Sequence, residues 1–380
     1  HLLERRGIPL PAQRLAKTAD AAIAAAVELG WPIVLKPANG GKGRGVWVGL
    51  RKSEELLKAW QNNVESGLGG AQLIQQVVRG HDHRMLVVNG VLLATAQRKP
   101  AELCADGIHS LIDQIRGLNQ DSERGKGYER LFNQVKIDAR LEGLLATQGL
   151  SFSSIPAQGT RVLLSRAANL SQGGYSIDCS ETVHLDNRRL AEDVAFLLGA
   201  DVVGLDVMSE DLSVSWREGG TWLLEVNLSP GLRPHLAANP GTDLCERFVR
   251  MLCGPDLSKT KIPIALVTGS IGKTTTTRVL SHLFLSTHDR VALASSTGME
   301  LDGRVIWEGD SSGGGLARHL LTDKRVEALV VEIARGGLFK FGLGLDFADG
   351  AIVTCIDDNH VGFDGITTRE QMARVKGVVA

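Results

Sequence analysis

Two glycine-rich segments that contain lysine constrain this chain more than any other feature. One reads VTGSIGKTTT and spans residues 267–276, and the other reads NGGKGRG and spans residues 39–45. Glycine lets a backbone approach a ligand closely and lysine adds positive charge, so such segments are typical of loops that hold nucleotide phosphates. Two loops of this kind in one chain predict two separate ATP sites.

The flanks of the 267–276 segment have the order strand, loop and helix. Ile264–Thr268 is an apolar run suited to a buried parallel strand, and Thr274–Ser286 has the composition of a helix. Unpaired N–H groups at the helix start form an anion site with Lys273, and a threonine hydroxyl there suits Mg²⁺. The strict P-loop spacing fails because Val267 replaces its first glycine, but the shorter pattern G-x-x-G-K-T-T is met. The alternative is a Gly-Lys turn before an ordinary helix.

The segment at 39–45 lies between two predicted strands. Ile33–Pro37 is predicted to be a strand that carries Lys36, and another strand resumes at Val46–Val48. Such a hairpin is suited to fold over a triphosphate, with Lys36 as a fixed charge near the inner phosphates and Lys42 or Arg44 on the loop. A plain surface hairpin is the alternative, and residues further along the chain weigh against it.

Two later predicted strands carry polar oxygen ligands. Val202–Val207 contains Asp206, while Trp222–Asn227 contains Glu225 and Asn227, which share a face because they are two residues apart. Three such ligands suit Mg²⁺ that is already bound to phosphate oxygens. A single acid at a strand end is often merely solvated. The predicted metal site therefore depends on the combination with the glycine loop and the strand lysine.

Composition limits the other classes of function. The 380 residues predict two or three domains, and 43% hydrophobic residues are enough for real cores. A net charge of −1 with 4% aromatic residues indicates no nucleic-acid surface, and no apolar run reaches the roughly 18 residues of a membrane span. Five cysteines without a C-x-x-C pair indicate reduced thiols in a cytoplasmic protein.

Changes of pattern along the chain predict its organisation. Residues 255–261 are the expected linker, because Pro, Asp, Ser and Lys replace apolar periodicity there. From residue 262 onward strands and helices alternate, as in a parallel α/β sheet. Before the linker, Asp20–Leu29 is predicted to be a helix from its alanine content, and Asn89-Gly90 between two apolar runs predicts a hairpin.

Taken in order, these segments resemble the cyanophycin synthetase family, in which an ATP-grasp ligase module precedes a Mur-ligase-like module. The resemblance covers nearly the whole chain and is carried by VLKPANGGKGRGV (34–46), GHDHRMLVVNG (80–90), RVLLSRAANLSQGG (161–174), VHLDNR (183–188), GLDV (204–207), LEVNLSPGLRPHL (224–236), IPIALVTGSIGKTTT (262–276) and VVEIARGGL (330–338).

The resemblance implies an α/β and α+β multidomain architecture. An ATP-grasp domain is expected over residues 1–254, a linker over 255–261, and a P-loop parallel α/β domain of the Mur-ligase-like central type over 262–380. Family members are longer at both ends. The chain is therefore expected to be a fragment that lacks the N-terminal part of the first domain and the C-terminal part of the second.

The resemblance also implies an ATP-dependent carboxylate–amine ligase that makes an aspartate–arginine polymer without a ribosome. In that family the ATP-grasp site activates the carboxyl end of the growing chain as an acyl phosphate, which the amine of aspartate attacks. The Mur-like site then activates the new β-carboxylate for arginine. ATP and Mg²⁺ are the implied cofactors, and a homo-oligomer that uses a peptide primer is the implied assembly.

Residue roles follow from the same resemblance. In the first module, ATP contacts are assigned to Lys36, Gly40, Gly41, Lys42, Gly43, Gly45 and Gln75, metal contacts to Asp206, Glu225 and Asn227, and catalytic roles to Arg84, Arg166 and Arg233. In the second, ATP contacts are assigned to Gly269, Gly272, Lys273, Thr274 and Thr275, with Lys273 also catalytic, and metal contacts to Thr274, Glu332, His360 and a carbamylated Lys376. Each arginine is otherwise a common surface ion-pair partner, and a lone histidine is commonly structural.

Four positions depart from the pattern of the family. Gln75 replaces a glutamate near the adenine, Ser270-Ile271 replaces Thr-Asn, Asn359 replaces an aspartate, and Asp310–Gly315 is a loose match. Three of the four lie in the second module, which is therefore expected to be slower, altered in substrate or inactive. The alternatives are a single-site relative that joins β-aspartyl-arginine dipeptides, another ATP-grasp carboxylate–amine ligase, and a nucleotide-binding scaffold. A P-loop kinase or NTPase would explain residues 267–276 but leave residues 33–236 without a role.

Overall fold

The computed structural model of this chain describes residues 2–39, 43–127, 129–256, 260–358, 361–362 and 365–379. They form two compact units, His1–Pro255 and Asp256–Ala380. No helix within these described ranges combines the length and the apolar character that crossing a membrane requires.

The first unit mixes helices with mostly antiparallel strands. Its helices are α1 Leu2–Arg5, α2 Ala19–Leu29, α3 Ser53–Asn63, α4 Leu111–Asn119, α5 Ala139–Thr147, α6 Leu185–Leu198, α7 Arg233–Ala238 and α8 Leu244–Cys253. Its strands are β1 Gln13–Ala16, β2 Ile33–Pro37, β3 Trp47–Leu50, β4 Gln72–Gln76, β5 His81–Val88, β6 Val91–Lys99, β7 Glu102–Cys104, β8 Arg124–Gly125, β9 Phe132–Asn133, β10 Arg161–Leu163, β11 Tyr175–Asp178, β12 Val202–Ser209 and β13 Thr221–Asn227.

A four-stranded antiparallel sheet in the order β1-β4-β2-β3 carries the predicted strand lysine. Ile33 and Leu35 of β2 are fully buried against Ala22 of α2 and Leu56 of α3. Helix α2 confirms the helix predicted from the alanine content. Its small alanine side chains let it pack closely on the sheet. Because side chains alternate along a strand, Lys36 lies on the opposite face from this core.

A five-stranded antiparallel sheet in the order β11-β6-β5-β12-β13 carries the predicted acids. Helix α6 covers one face, where Met85 and Val87 of β5 and Leu205 of β12 are buried. The alternation that points these residues inward leaves Arg84 and Asp206 on the other face. The face of the sheet under α6 is therefore apolar, and the opposite face carries the charged side chains of Arg84 and Asp206.

The predicted hairpin at Asn89-Gly90 is confirmed. Strands β5 and β6 pair as far as Val88 and Val91, and both turn residues have positive φ, 47° for Asn89 and 76° for Gly90. Asn-Gly adopts this backbone at little cost, which is why the dipeptide signals a two-residue hairpin.

Residues 101–164 form a separate cluster with a core of its own, which we call the α4–α5 cluster. Leu111 and Ile115 of α4 pack with Leu141 and Leu145 of α5 and with Val162 of β10. Both helices begin at a side-chain cap, in which the oxygen of Ser110 or Asp138 accepts a backbone N–H three residues later. The caps stabilise the starts of both helices, and the four leucine and isoleucine side chains pack the helices together.

The second unit is an α/β layer structure. Its elements are β14 Ile264–Thr268, α9 Lys273–Phe284, β15 Val291–Ser295, β16 Gly298–Leu301, β17 Arg304–Glu308, α10 Gly314–Leu320, β18 Ala328–Glu332, α11 Arg335–Phe341, β19 Gly350–Val353 and α12 Arg369–Lys376. Strands β15, β18, β14 and β19 run parallel as predicted, and the antiparallel pair β16–β17 extends the sheet at one edge. Strands β15 and β18 are buried at every position, as expected for parallel strands covered on both faces.

The loosely matched segment Asp310–Gly315 is closely packed in the structure. A Cβ added to Gly314 would lie 1.4 Å from the carbonyl oxygen of Leu343, and one added to Gly337 would lie 2.3 Å from the carbonyl oxygen of Ser312. Only residues without a side chain allow backbone contacts this close. The glycines therefore permit the close packing of α10 against α11.

Candidate active sites

Lys36 connects the four-stranded and the five-stranded sheet of the first unit. Its Nζ donates to the backbone carbonyl of Leu224 at 3.4 Å, next to Glu225 on β13. Burial lowers the pKa of Lys36, while the carboxylates of Glu225 and Asp206 act in the opposite direction. The structure therefore brings together the strand lysine and two of the three residues assigned to the metal.

Asp206 is the centre of a charged network on the five-stranded sheet. It lies opposite Arg84 on β5 and opposite Glu225 on β13. The Arg84 guanidinium binds both carboxylate oxygens, through Nε to Oδ1 and through Nη2 to Oδ2, the latter at 3.2 Å. Arg98 Nη2 also lies 3.2 Å from Oδ2 and pairs with Asp82. Two arginines thus share Asp206.

Sequence analysis did not identify Arg98, because its place beside Asp206 depends on the strand pairing. In the hairpin centred on Asn89-Gly90, the register pairs Arg98 with Asp82 directly. The register shifts by one residue between Leu86 and Val87, so regular counting back from the turn would have paired Asp82 with Gln97 instead. Burial raises the pKa of Asp82, and the adjacent Arg98 opposes that rise.

Glu225 and Asn227 lie at the same end of β13. Glu225 is exposed, while the Nδ2 atom of Asn227 is buried and has no hydrogen-bond partner among the described residues. An amide left in this way suits a ligand rich in oxygen acceptors, such as a phosphate. Within the described ranges, no three His, Cys, Asp or Glu side chains form a metal cluster by themselves. The pair Asp206 and Glu225 fits magnesium, which is usually held through one or two carboxylates and takes its other ligands from phosphates and water.

The base of the first glycine loop is anchored to α3. Gly40, Gly41 and Lys42 lie outside the described residues. Gly45 has φ 71°, and a Cβ there would lie 2.8 Å from Asn63 Oδ1. The Asn63 amide donates to the Gly45 carbonyl at 2.9 Å. Gly43 also has positive φ, 69°, and a Cβ there would lie 3.7 Å from the side chain of Asn169.

Three further assigned residues have different surroundings. Gln75 of β4 is buried and donates to Gln13 Oε1 at 3.1 Å. Arg166 is exposed and lines a cavity. Arg233 donates to three backbone carbonyls between Gly127 and Leu131 at 2.7–2.9 Å and to Asn133 Oδ1 at 2.6 Å. In this structure Arg233 therefore holds a loop in place.

His235, which sequence analysis did not single out, lies buried near the charged network. It is 3% exposed, and neither ring nitrogen has a partner among the residues described. Burial, together with the positive charges of Arg84 and Arg98, lowers the pKa of His235 to about 4, against the opposing effect of Asp178. Burial likewise lowers the pKa of His83, on the α6 side of the sheet, to about 4.

These two histidines predict acid sensitivity between pH 6.5 and 4. In that window the unfolded chain binds protons that the folded chain does not, so the free energy of unfolding falls as the pH decreases. The fall is about 1.4 kcal/mol per pH unit for each histidine that is protonated in the unfolded chain and neutral in the folded chain. The variant His83→Leu is expected to remove the contribution of one histidine to the pH dependence of the free energy of unfolding. Urea unfolding at a series of pH values measures this dependence. The exposed His282 offers the control His282→Leu, and an unchanged slope in His83→Leu would contradict the assignment.

The second glycine loop connects β14 to α9 at the carboxyl end of the parallel strands, where α/β sheets bind ligands. Gly269 and Gly272 have positive φ, 146° and 82°, and a Cβ at Gly269 would lie 2.0 Å from Thr354 Oγ1. Lys273 Nζ donates to the Ser270 carbonyl at 3.2 Å. The Ser270 hydroxyl accepts the N–H of Asp357 at 3.1 Å, so this departure from the family pattern retains a polar contact.

Glu332 and Thr274, both assigned to the metal, meet in the structure. The Thr274 hydroxyl donates to Glu332 Oε2 at 2.9 Å, and the N–H of Ser296 donates to the same oxygen at 3.1 Å. Glu332 is 2% exposed, whereas Thr275 is exposed. Ser296 follows β15 and was not identified from the sequence, because only the sheet order places β15 beside β18.

Lys376 is buried beside the loop. It is 1% exposed, and its Nζ donates to the Gly269 carbonyl. Burial, with the nearby positive charges of Lys273 and Arg335, lowers the pKa of Lys376 to about 8. His360, assigned to the same metal, lies outside the described residues, as does Asn359.

Comparisons with known proteins give the family. Residues 1–104 match the RimK-like ATP-grasp domain, and residues 267–378 match the Mur ligase middle domain. A cyanophycin synthetase of Crocosphaera subtropica is 36% identical over 100% of this chain and 44% of its own length. A glutathione biosynthesis bifunctional protein of Clostridium perfringens is 29% identical over 53% of this chain and 26% of its own length.

Among solved structures, the crystal structure of a bifunctional glutathione synthetase from Pasteurella multocida matches 66% of this chain and 34% of its own, with 25% identity and a TM-score of 0.49. The chain spans less than half the length of the curated cyanophycin synthetase it matches. The resemblance predicted from the motifs is confirmed: this chain is a relative of the cyanophycin synthetases, with an ATP-grasp domain followed by a Mur ligase middle domain.

Proposed function

We propose that the natural protein containing this chain is an ATP-dependent carboxylate–amine ligase (EC 6.3.2) that extends an aspartate–arginine polymer. Similarity to a cyanophycin synthetase over the whole chain carries this proposal. Each unit supports the proposal with one polar site. In the first unit Lys36 lies near Asp206 and Glu225, and in the second Thr274 donates to Glu332.

At the ATP-grasp site, Lys36 would bind the inner phosphates and the glycine loop would cover them. Asp206, Glu225 and Asn227 would hold Mg²⁺, which neutralises charge on the phosphoryl group as the acyl phosphate forms. Arg84 would then exchange Asp206 for the carboxylate of the primer, because guanidinium binds both oxygens of such a group. The amine of aspartate would complete the step by attacking the acyl carbon, forming the amide bond as the acyl–phosphate C–O bond breaks and inorganic phosphate leaves. Arg166 and Arg233 stay assigned to the same step.

At the Mur-like site, Lys273 would leave the Ser270 carbonyl for the outer phosphates. Thr274 and Glu332 would hold Mg²⁺, with His360 as a further ligand. A lysine with a pKa of about 8 is partly neutral near physiological pH, so Lys376 is suited to react with carbon dioxide and to serve as a carbamylated ligand. This site would add arginine to the new β-carboxylate.

The remaining assignments are proposals of the same kind. We assign the ATP-grasp domain to residues 1–254, the linker to 255–261 and the Mur-like domain to 262–380. A cytoplasmic location and a homo-oligomeric assembly agree with the family resemblance. Free cysteines at all five positions agree with a reducing compartment.

The substrate requirement tests the proposal. The full-length natural protein, given ATP, Mg²⁺ and a short aspartate–arginine primer, is expected to release phosphate with aspartate plus arginine, and mass spectrometry should show growth by alternating residues. Turnover with β-aspartyl-arginine dipeptide alone would instead support the single-site alternative. Turnover with neither would overturn the polymer substrate and leave a ligase with another acceptor.

A further inference from the structure

A cavity of about 610 Å³ lies in the first unit between α5 and the segment 164–172. Its floor is apolar, formed by Leu141 and Leu144 of α5 together with Leu164. None of the described residues that line it is aromatic, so they offer no ring on which a nucleobase would stack. Its volume suits several residues of an extended chain better than a single amino acid.

The rim of the cavity is positively charged. Lys136, Arg140 and Arg166 all line it, and none of the three has an ion-pair or hydrogen-bond partner within the part of the chain that the structure describes. The lining also includes Asp138, whose Oδ1 accepts the N–H of Leu141 as the helix cap. Arginines elsewhere in the unit, such as Arg84 and Arg98, are paired with carboxylates. An array of three unpaired cations with one carboxylate is suited to a ligand that carries several carboxylates.

The cavity borders the ATP-grasp site. Arg166 lies in the segment 164–172, and Asn169 of the same segment lies beside Gly43 of the glycine loop. A chain whose carboxyl end reaches the phosphates is therefore able to lay its preceding residues along this segment and into the cavity.

We propose that this cavity binds the growing peptide chain through its branch carboxylates, with Lys136 and Arg140 as the recognition residues. The inference rests on the proposed function. When the α-amine of arginine is joined to the β-carboxylate of aspartate, each repeat keeps one free carboxylate and one guanidinium. Lys136 and Arg140 form ion pairs with carboxylates of the polymer, and the Asp138 carboxylate accepts hydrogen bonds from one of its guanidinium groups. The apolar floor packs against the aliphatic part of the arginine branches.

Direct binding tests this site without turnover. We expect the double variant Lys136→Glu/Arg140→Glu of the full-length natural protein to bind a labelled aspartate–arginine oligomer about tenfold more weakly than the wild type in fluorescence anisotropy, because two attractive charges become repulsive. Its KM for ATP is expected to stay unchanged. The matched control is Arg116→Glu/Arg161→Glu, which reverses two exposed arginines of the α4–α5 cluster outside the cavity. Thermal unfolding checks that both double variants fold.

A second probe separates carboxylate recognition from general attraction. An oligomer with amidated branch carboxylates should bind the wild type as weakly as the free-acid oligomer binds the double variant. Equal binding of both oligomers by the wild type, or equal loss in the control variant, would overturn the site.

Failure of the proposed function gives a different result. In that case the wild type binds no aspartate–arginine oligomer at all. A labelled oligoglutamate peptide then probes the cavity by itself: weaker binding by the double variant would uphold a site for polycarboxylate peptides, and unchanged binding would overturn it.

Discussion

Replacing Lys36 with methionine is expected to stop the first addition, the joining of aspartate to the primer. The side chain keeps its length and loses the charge that lies between Asp206, Glu225 and the expected phosphates. Loss of one preorganised charge on a transferring phosphoryl group lowers kcat by about 10²–10³-fold. The measurement is aspartate-dependent phosphate release by the full-length natural protein with a primer that ends in arginine.

The control for this variant is Lys58→Met, since Lys58 is exposed on α3, which packs against the sheet that carries Lys36. It should keep wild-type turnover and unfolding temperature. Aspartate addition by Lys36→Met at more than about a tenth of the wild-type rate would contradict the role of Lys36, because a phosphate-binding charge supplies far more than that factor.

Glu332→Gln is expected to stop the second addition and spare the first. The buried carboxylate accepts hydrogen bonds from Thr274 and Ser296, and an amide retains that shape but brings no charge to a metal. Loss of one of few anionic magnesium ligands is expected to lower arginine addition by about 10²-fold or more. Mass spectrometry should then show the primer extended by one aspartate and stalled there.

Glu308→Gln provides the matched control, because Glu308 is exposed on the edge strand β17. Alternating growth should continue in this control. Continued growth in Glu332→Gln as well would assign arginine addition to another site, and loss of aspartate addition in the same variant would mean that the two sites do not act independently.

The parts of the fold that could be predicted are those in which local sequence decides the structure. Asn89-Gly90 defined a hairpin because few other dipeptides adopt its backbone, and the run at 264–268 defined a parallel strand because every residue is apolar or small. The loop glycines and Lys273 were predicted to bind phosphate for a related reason, since phosphate binding requires a particular local backbone.

The parts that could not be predicted depend on which strands become neighbours. Arg98 on β6 reaches Asp206 on β12 across the intervening strand β5, and Ser296 reaches Glu332 only because β15 pairs with β18. The burial of His235 depends on where α7 packs. The cavity rim likewise combines α5 with a distant segment, which no local pattern in the sequence reveals.

The shared hold of Arg84 and Arg98 on Asp206 also bears on the order of events. Under the proposed function, magnesium nucleotide and Arg84 would compete for the Asp206 side chain, because the guanidinium groups occupy both carboxylate oxygens. A nucleotide that binds Asp206 would free Arg84 for the carboxylate of the primer, and a primer that binds Arg84 would free Asp206 for the metal. By thermodynamic reciprocity each ligand would then raise the affinity for the other by the same factor, so that nucleotide and primer bind with positive cooperativity.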